Sequence, residues 1–79
     1  MLYALSTCVW CRKTKRLLND LDVHYRIVDV DLLDGSERDR AEGEVLKYNP
    51  KGSFPTLVIG KRKCIAGFNE EEIRKEFRK

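Results

Sequence analysis

An apolar run, Met1-Leu2-Tyr3-Ala4-Leu5, stops at Ser6-Thr7-Cys8-Val9-Trp10-Cys11, and a basic, helix-like pattern takes over at Arg12. Apolar residues at successive positions fit a strand covered on both faces, and therefore a central one. The strand runs straight into the two-cysteine turn. With a helix starting near Cys8, Cys11 lies one turn on, close enough for the two sulfurs to close a disulfide. Counting onward from Cys11, Thr14, Leu17, Leu18 and Leu21 fall on one stripe that must face a core, whereas Cys8 sits at the helix start. Cys8 is thus expected to be exposed and Cys11 sheltered. A helix N-terminus offers unpaired N–H groups and a partial positive charge, and Arg12 and Lys13 add cations, so a thiolate at Cys8 is favoured. Cys8 is the expected attacking sulfur, with Arg12 and Lys13 stabilising it.

A chain of 79 residues is expected to form one domain over 1–79, with a modest core. Three cysteines without a signal-peptide pattern argue against a secreted disulfide scaffold and for the cytoplasm. No apolar run approaches the roughly 18 residues of a membrane helix. The formal charge of +3 is small beside 37% charged residues of both signs. The basic cluster from Arg12 to Arg16 reads as a solvated helix face, since nucleic-acid binding would call for interleaved aromatics and a larger charge excess. His24 stands alone and there is no second Cys-x-x-Cys, so four-coordinate zinc lacks ligands within one chain and no metal is expected.

After the first helix, Asp22 opens a turn and His24-Tyr25-Arg26-Ile27-Val28-Asp29-Val30 reads as a second strand, parallel to the first through a right-handed crossover. Asp34-Gly35 breaks the chain, and Ser36 followed by Asp39 resembles an N-cap with its reciprocal acid. The helix it opens carries Ala41, Val45 and Tyr48 on one stripe, looks thinly anchored, and stops at Asn49-Pro50. Pro55 leads into the apolar strand Thr56-Leu57-Val58-Ile59, and Gly60-Lys61-Arg62 turns it back into Lys63-Cys64-Ile65-Ala66 as a hairpin. Cys64 reads as a small hydrophobe of that hairpin. The last helix starts at the N-cap Asn69, with Glu70 to Glu72 in its first turn and Phe68 and Ile73 as a staple. Glu70–Arg74 and Glu71–Lys75 are its expected ion pairs, and Arg78 and Lys79 suit its C-terminal end.

The order β-α-β-α-β-β-α with Cys-x-x-Cys at the first strand-to-helix turn resembles the minimal thioredoxin fold, a four-stranded mixed sheet flanked by three helices. Over its whole length the chain looks like a glutaredoxin. The resemblance rests on Cys8-Val9-Trp10-Cys11, on Phe54-Pro55-Thr56 where the family has its cis-proline, and on Gly67-Phe68-Asn69-Glu70 at the last helix. It implies that these stretches converge, with Val9, Trp10, Phe54, Pro55, Thr56, Gly67, Phe68 and Asn69 contacting substrate. It further implies a monomeric thiol-disulfide oxidoreductase without a tightly bound cofactor, in which Cys8 attacks and Cys11 resolves. Its partners would be disulfide-containing proteins, with electrons from glutathione as co-substrate or from a flavoprotein or ferredoxin-linked disulfide reductase. An alternative within the family is an iron-sulfur cluster bridged between two chains, each supplying Cys8 beside an external thiol.

Many glutaredoxins hold glutathione with a lysine three residues before the first cysteine, a tyrosine before the second, and Gly-Gly followed by acids at the last helix. Here those places hold Leu5, Trp10 and Ala66-Gly67-Phe68-Asn69. The Gly67-Phe68 pair is closer to glutaredoxin-like redoxins that a flavoprotein reduces and that serve ribonucleotide reductase. Glutathione is therefore expected to be the poorer donor.

Overall fold

The structure is a computed structural model that describes residues 1–60 and 63–77. Its elements are β1 (Leu2–Ala4), α1 (Val9–Asp20), β2 (Ile27–Asp29), a 3-10 turn (Val30–Leu32), α2 (Gly35–Tyr48), β3 (Thr56–Ile59), β4 (Lys63–Ala66) and α3 (Glu70–Glu76). The strands form one mixed sheet in the order β2-β1-β3-β4, with β1 parallel to β2 and antiparallel to β3. β1 is central, and all three of its residues are buried. Alternation along the strand sends them to opposite layers. Leu2 and Ala4 join Cys11, Leu17 and Leu18 of α1, Leu57, Ile65 and Ile73 of α3 on one face of the sheet. Tyr3 joins Val58, Val30, and Ala41 and Val45 of α2 on the other. Each such large apolar side chain contributes about 1.5–3 kcal/mol on burial.

Several boundaries differ from those read off the sequence. β2 covers only Ile27–Asp29, because β1 offers just three partners, Leu2, Tyr3 and Ala4. Its first expected residue, His24, lies outside the strand and is exposed, while Val30 already belongs to the 3-10 turn. α2 begins at Gly35 after Asp34 in the cap position, not after Ser36, which lies within the helix with Asp39. Gly35 makes the earlier start feasible by taking φ +54, a left-handed conformation that costs it no Cβ clash. In α3, Asn69 accepts the Glu72 N–H at 3.1 Å and Glu70 pairs with Arg74 at 2.9 Å, as expected. Among the described residues Glu71 and Lys75 make no ion pair, and both side chains stay in solvent. The expected turn residues Lys61 and Arg62, and the terminal Arg78 and Lys79, lie outside the described residues.

The loop between α2 and β3 is organised by one side chain. Asn49 is 3% exposed. Its Nδ2 reaches the Ser53 carbonyl (3.2 Å), Ser53 Oγ (3.0 Å) and Thr56 Oγ1 (3.1 Å), while its Oδ1 accepts the Lys51 N–H at 3.2 Å. The Thr56 hydroxyl in turn donates to the Ser53 carbonyl at 2.7 Å. Asn49→Ala would strand these buried groups, so it is expected to lower stability by about 1–3 kcal/mol. In urea unfolding this reads as a lower midpoint at unchanged slope.

Candidate active site

Cys8 is the N-cap of α1, with φ −81° and ψ 122°, and its Sγ accepts the Cys11 N–H at 3.2 Å. Side-chain oxygens usually take this position. A sulfur takes it here, so a backbone donor that the helix must satisfy points at the Cys8 sulfur. When that sulfur is ionised the bond becomes charge-assisted and lies at the positive end of the helix. Cys8 is half-buried because it packs against the same core cluster as Phe54 and Phe68, whereas Cys11 is wholly buried. All three cysteines are free thiols. Burial, reinforced by a hydrogen bond with Cys8, pushes the Cys11 thiol up to about 12. At neutral pH the inner sulfur therefore stays protonated while the outer one meets solvent.

The turn that carries Cys8 is held from the 3-10 turn that follows β2. Asp31 accepts the Ser6 N–H at 2.8 Å and the Ser6 hydroxyl at 2.5 Å, and these two bonds hold its carboxyl below the ordinary carboxylate value. Cys8 N–H then closes the turn onto the Leu5 carbonyl at 3.1 Å. Sequence reasoning missed Asp31, although a signal exists. Because β1 and β2 are parallel with Ala4 opposite Asp29, two residues beyond each strand end bring Ser6 opposite Asp31. Lys15 ties α1 to the end of the same strand through Asp29 at 3.0 Å.

Of the expected substrate residues, the structure brings Trp10, Phe54, Pro55, Gly67 and Phe68 around one shallow depression of about 240 Å³. The Phe54-Pro55 peptide is cis, as the resemblance implied. Gly67 adopts φ +78 and donates its N–H to the Pro55 carbonyl at 2.8 Å, which carries the chain from β4 to Phe68. Phe68 stacks on Trp10 with ring centroids 5.9 Å apart, and Lys13 Nζ lies 4.5 Å from the Trp10 centroid. Val9 is exposed on the first turn of α1. Thr56 is wholly buried with its hydroxyl committed to Ser53, and Asn69 is committed to capping α3. Arg12 is exposed, and the expected pair of thiolate-stabilising cations is divided, since Lys13 is drawn to the Trp10 ring. Cys64 is half-buried on β4 opposite Val58, with its thiol pushed up by burial. Among the described residues no group of three or more His, Cys, Asp or Glu is placed to hold a metal ion, and no helix is long and apolar enough to cross a membrane.

A sheet of this order, with a dithiol where its central strand enters the first helix, defines a thioredoxin-fold protein in its smallest form. The family model described as Glutaredoxin matches residues 1–65, and the chain belongs to that family. The crystal structure of methanoredoxin from Methanosarcina acetivorans is 47% identical, superposes with a TM-score of 0.95, and is matched over 99% of this chain and 82% of that one. A glutaredoxin from Methanosarcina mazei Go1 is 51% identical with a TM-score of 0.91, over 99% of this chain and 76% of the other. A glutaredoxin-like 8.6 kDa protein in a rubredoxin operon of Clostridium pasteurianum is 34% identical over 74 residues, 94% of this chain and 91% of its own length.

The unequal burial of the pair has two measurable consequences. Limited iodoacetamide at neutral pH is expected to label Cys8 ahead of Cys11, with Cys11 labelled only after denaturation, as read by peptide mass mapping. In the reduced protein, the unfolded chain releases the Cys11 proton near its ordinary value of 9.0 while the folded chain keeps it to about 12. The unfolded state then binds fewer protons, so this group's contribution to stability falls as pH rises from 9.0 towards about 12. Chemical unfolding of the parent should show a steeper loss over that range than Cys11→Ser.

Proposed function

We propose that this protein is a dithiol oxidoreductase that reduces disulfides of other proteins, working as a monomer in the cytoplasm. The observation that carries this reading is the asymmetric pair: an accessible sulfur at a helix start, accepting a backbone N–H, beside a buried thiol one turn away. The Cys8 thiolate attacks one sulfur of a substrate disulfide, forms the Cys8–substrate bond, and expels the other substrate sulfur, which takes up a proton. Cys11 then loses its proton and attacks the Cys8 sulfur, which closes the Cys8–Cys11 disulfide and releases the second substrate thiol. Two electrons and two protons pass to the substrate. The raised proton affinity of Cys11 keeps it a thiol in the reduced protein, so the first attack falls to Cys8. The Ser6–Asp31 bonds hold the turn while the sulfur changes partner, and the depression by Trp10, Phe54 and Phe68 receives the substrate beside its cysteine.

Glutathione is a co-substrate in this reading, and a poorer donor than a flavoprotein or ferredoxin-linked disulfide reductase. Leu5 packs into the core layer under α2 and supplies no cation, and Phe68, stacked on Trp10, fills the place of a small residue. A lost charge-assisted contact weakens binding by roughly tenfold or more.

Cys8→Ser is expected to abolish reduction of a protein disulfide, and Cys11→Ser to stall as a mixed disulfide visible by intact mass; reversed outcomes would exchange the roles. Cys64→Ala should stay within about twofold of the parent, because Cys64 lies on β4 outside the motif. With a glutathione mixed disulfide at millimolar glutathione, the parent should turn over slowly and Leu5→Lys faster. Brisk turnover by the parent, unimproved by the lysine, would refute the assignment of the donor.

A further inference from the structure

Three depressions share walls, two of them beside α1 and the third against α2. Lys13, Arg16, Asp20, Phe68, Glu70 and Arg74 line a groove of about 310 Å³ between α1 and α3. Phe68 also lines the depression at Trp10, and Phe54, another of its lining residues, belongs in turn to a third hollow of about 240 Å³ with Glu42, Val45, Leu46 and Gly52. The two shared phenylalanines set the hollows one after another as a track, and its middle member is lined by Trp10, the residue between the two cysteines. An extended chain rising about 3.3 Å per residue can follow such a track.

The two ends differ in chemistry. In the α1–α3 groove Arg74 is already paired with Glu70 at 2.9 Å, whereas among the described residues Lys13 and Arg16 enter no ion pair. Two cations then face one remaining carboxylate, Asp20, and the groove favours an anionic side chain. At the far end Glu42 is paired with Arg38 at 3.1 Å, and Leu46 is 52% exposed beside Val45 and Phe54. That end favours an apolar side chain. We propose that the track seats an extended segment of a protein disulfide, its cysteine at Trp10, an acidic side chain over Arg16 and a large apolar one on Leu46. The proposal rests on the oxidoreductase reading and assigns its substrate recognition.

The test uses single turnover of the fully reduced protein, which needs no donor. Terminally blocked peptides Glu-Glu-Gly-Cys-Gly-Leu-Leu and Leu-Leu-Gly-Cys-Gly-Glu-Glu, and a control with serine at all four outer positions, are supplied as mixed disulfides with 2-mercaptoethanol. Each turnover converts the protein dithiol to its disulfide and releases one peptide thiol and one 2-mercaptoethanol, separated by chromatography after acid quench. One order of charge and apolarity should exceed both its reverse and the control by about threefold or more in apparent second-order rate. Within Arg16→Glu the glutamates should lose their advantage over serine, and within Leu46→Ser the leucines should lose theirs. Both residues are exposed, so the variants keep the fold, as circular dichroism would confirm. High salt should remove the first advantage only. Equal rates for the two orders, or advantages that survive both substitutions, would overturn the track. Failure of the parent to reduce the uncharged bis(2-hydroxyethyl) disulfide would instead overturn the oxidoreductase reading itself, and the track with it.

Discussion

A helix has to find acceptors for its first backbone N–H groups, and α1 finds one in a sulfur. That bond makes the start of the helix and the chemistry of Cys8 the same event. Were the cap a serine, the helix would begin as well, and nothing would react. Were the cysteine one position further along, it would stand at the exposed place of Val9, inside the helix and no longer at its cap. The site exists because the change from strand to helix falls on Cys8.

Everything around that point serves to hold it. β1 is short and buried on both faces, so its end is placed by two core layers at once. The parallel pairing with β2 then delivers Asp31 to Ser6 without any further chain reversal. On the other flank, Asn49 gathers Ser53 and Thr56 so that the cis Phe54-Pro55 peptide arrives from a loop with few remaining choices. A mean α2 anchored by little more than Ala41 and Val45 is tolerable because the loop it leads into is fastened by polar bonds. The apolar layers set where the strands lie. The polar side chains set how the turns between them are shaped.

This division explains what was legible in the sequence. Periodicity exposed the stripe of α1, the central β1 and the hairpin, because burial on one or two faces leaves a repeat in the chain. The cap of α3 was legible for a local reason, since Asn69 and Glu72 are three residues apart. The start of α2 was misplaced because two local signals, Asp34-Gly35 and Ser36-x-x-Asp39, competed, and the left-handed glycine settled the contest two residues sooner. Asp31 and the interior role of Thr56 were invisible for the opposite reason. Their partners, Ser6 in one case and Asn49 in the other, are found only once strands pair and loops close. The resemblance located the cis-proline stretch, and it did not say that one of its three side chains would be turned inward.

The chain contains a single tryptophan, and it stands between the two cysteines, with Phe68 on one side and a lysine ammonium over its ring. An indole so placed is sensitive to the charge and polarity of its neighbours, and it is more than half exposed. Gain of a disulfide next to it, arrival of a substrate segment against it, or departure of Lys13 from its face each alters its surroundings differently. The molecule thus carries its own optical probe, and its intrinsic emission can follow the redox and binding state of the site in real time, without a label.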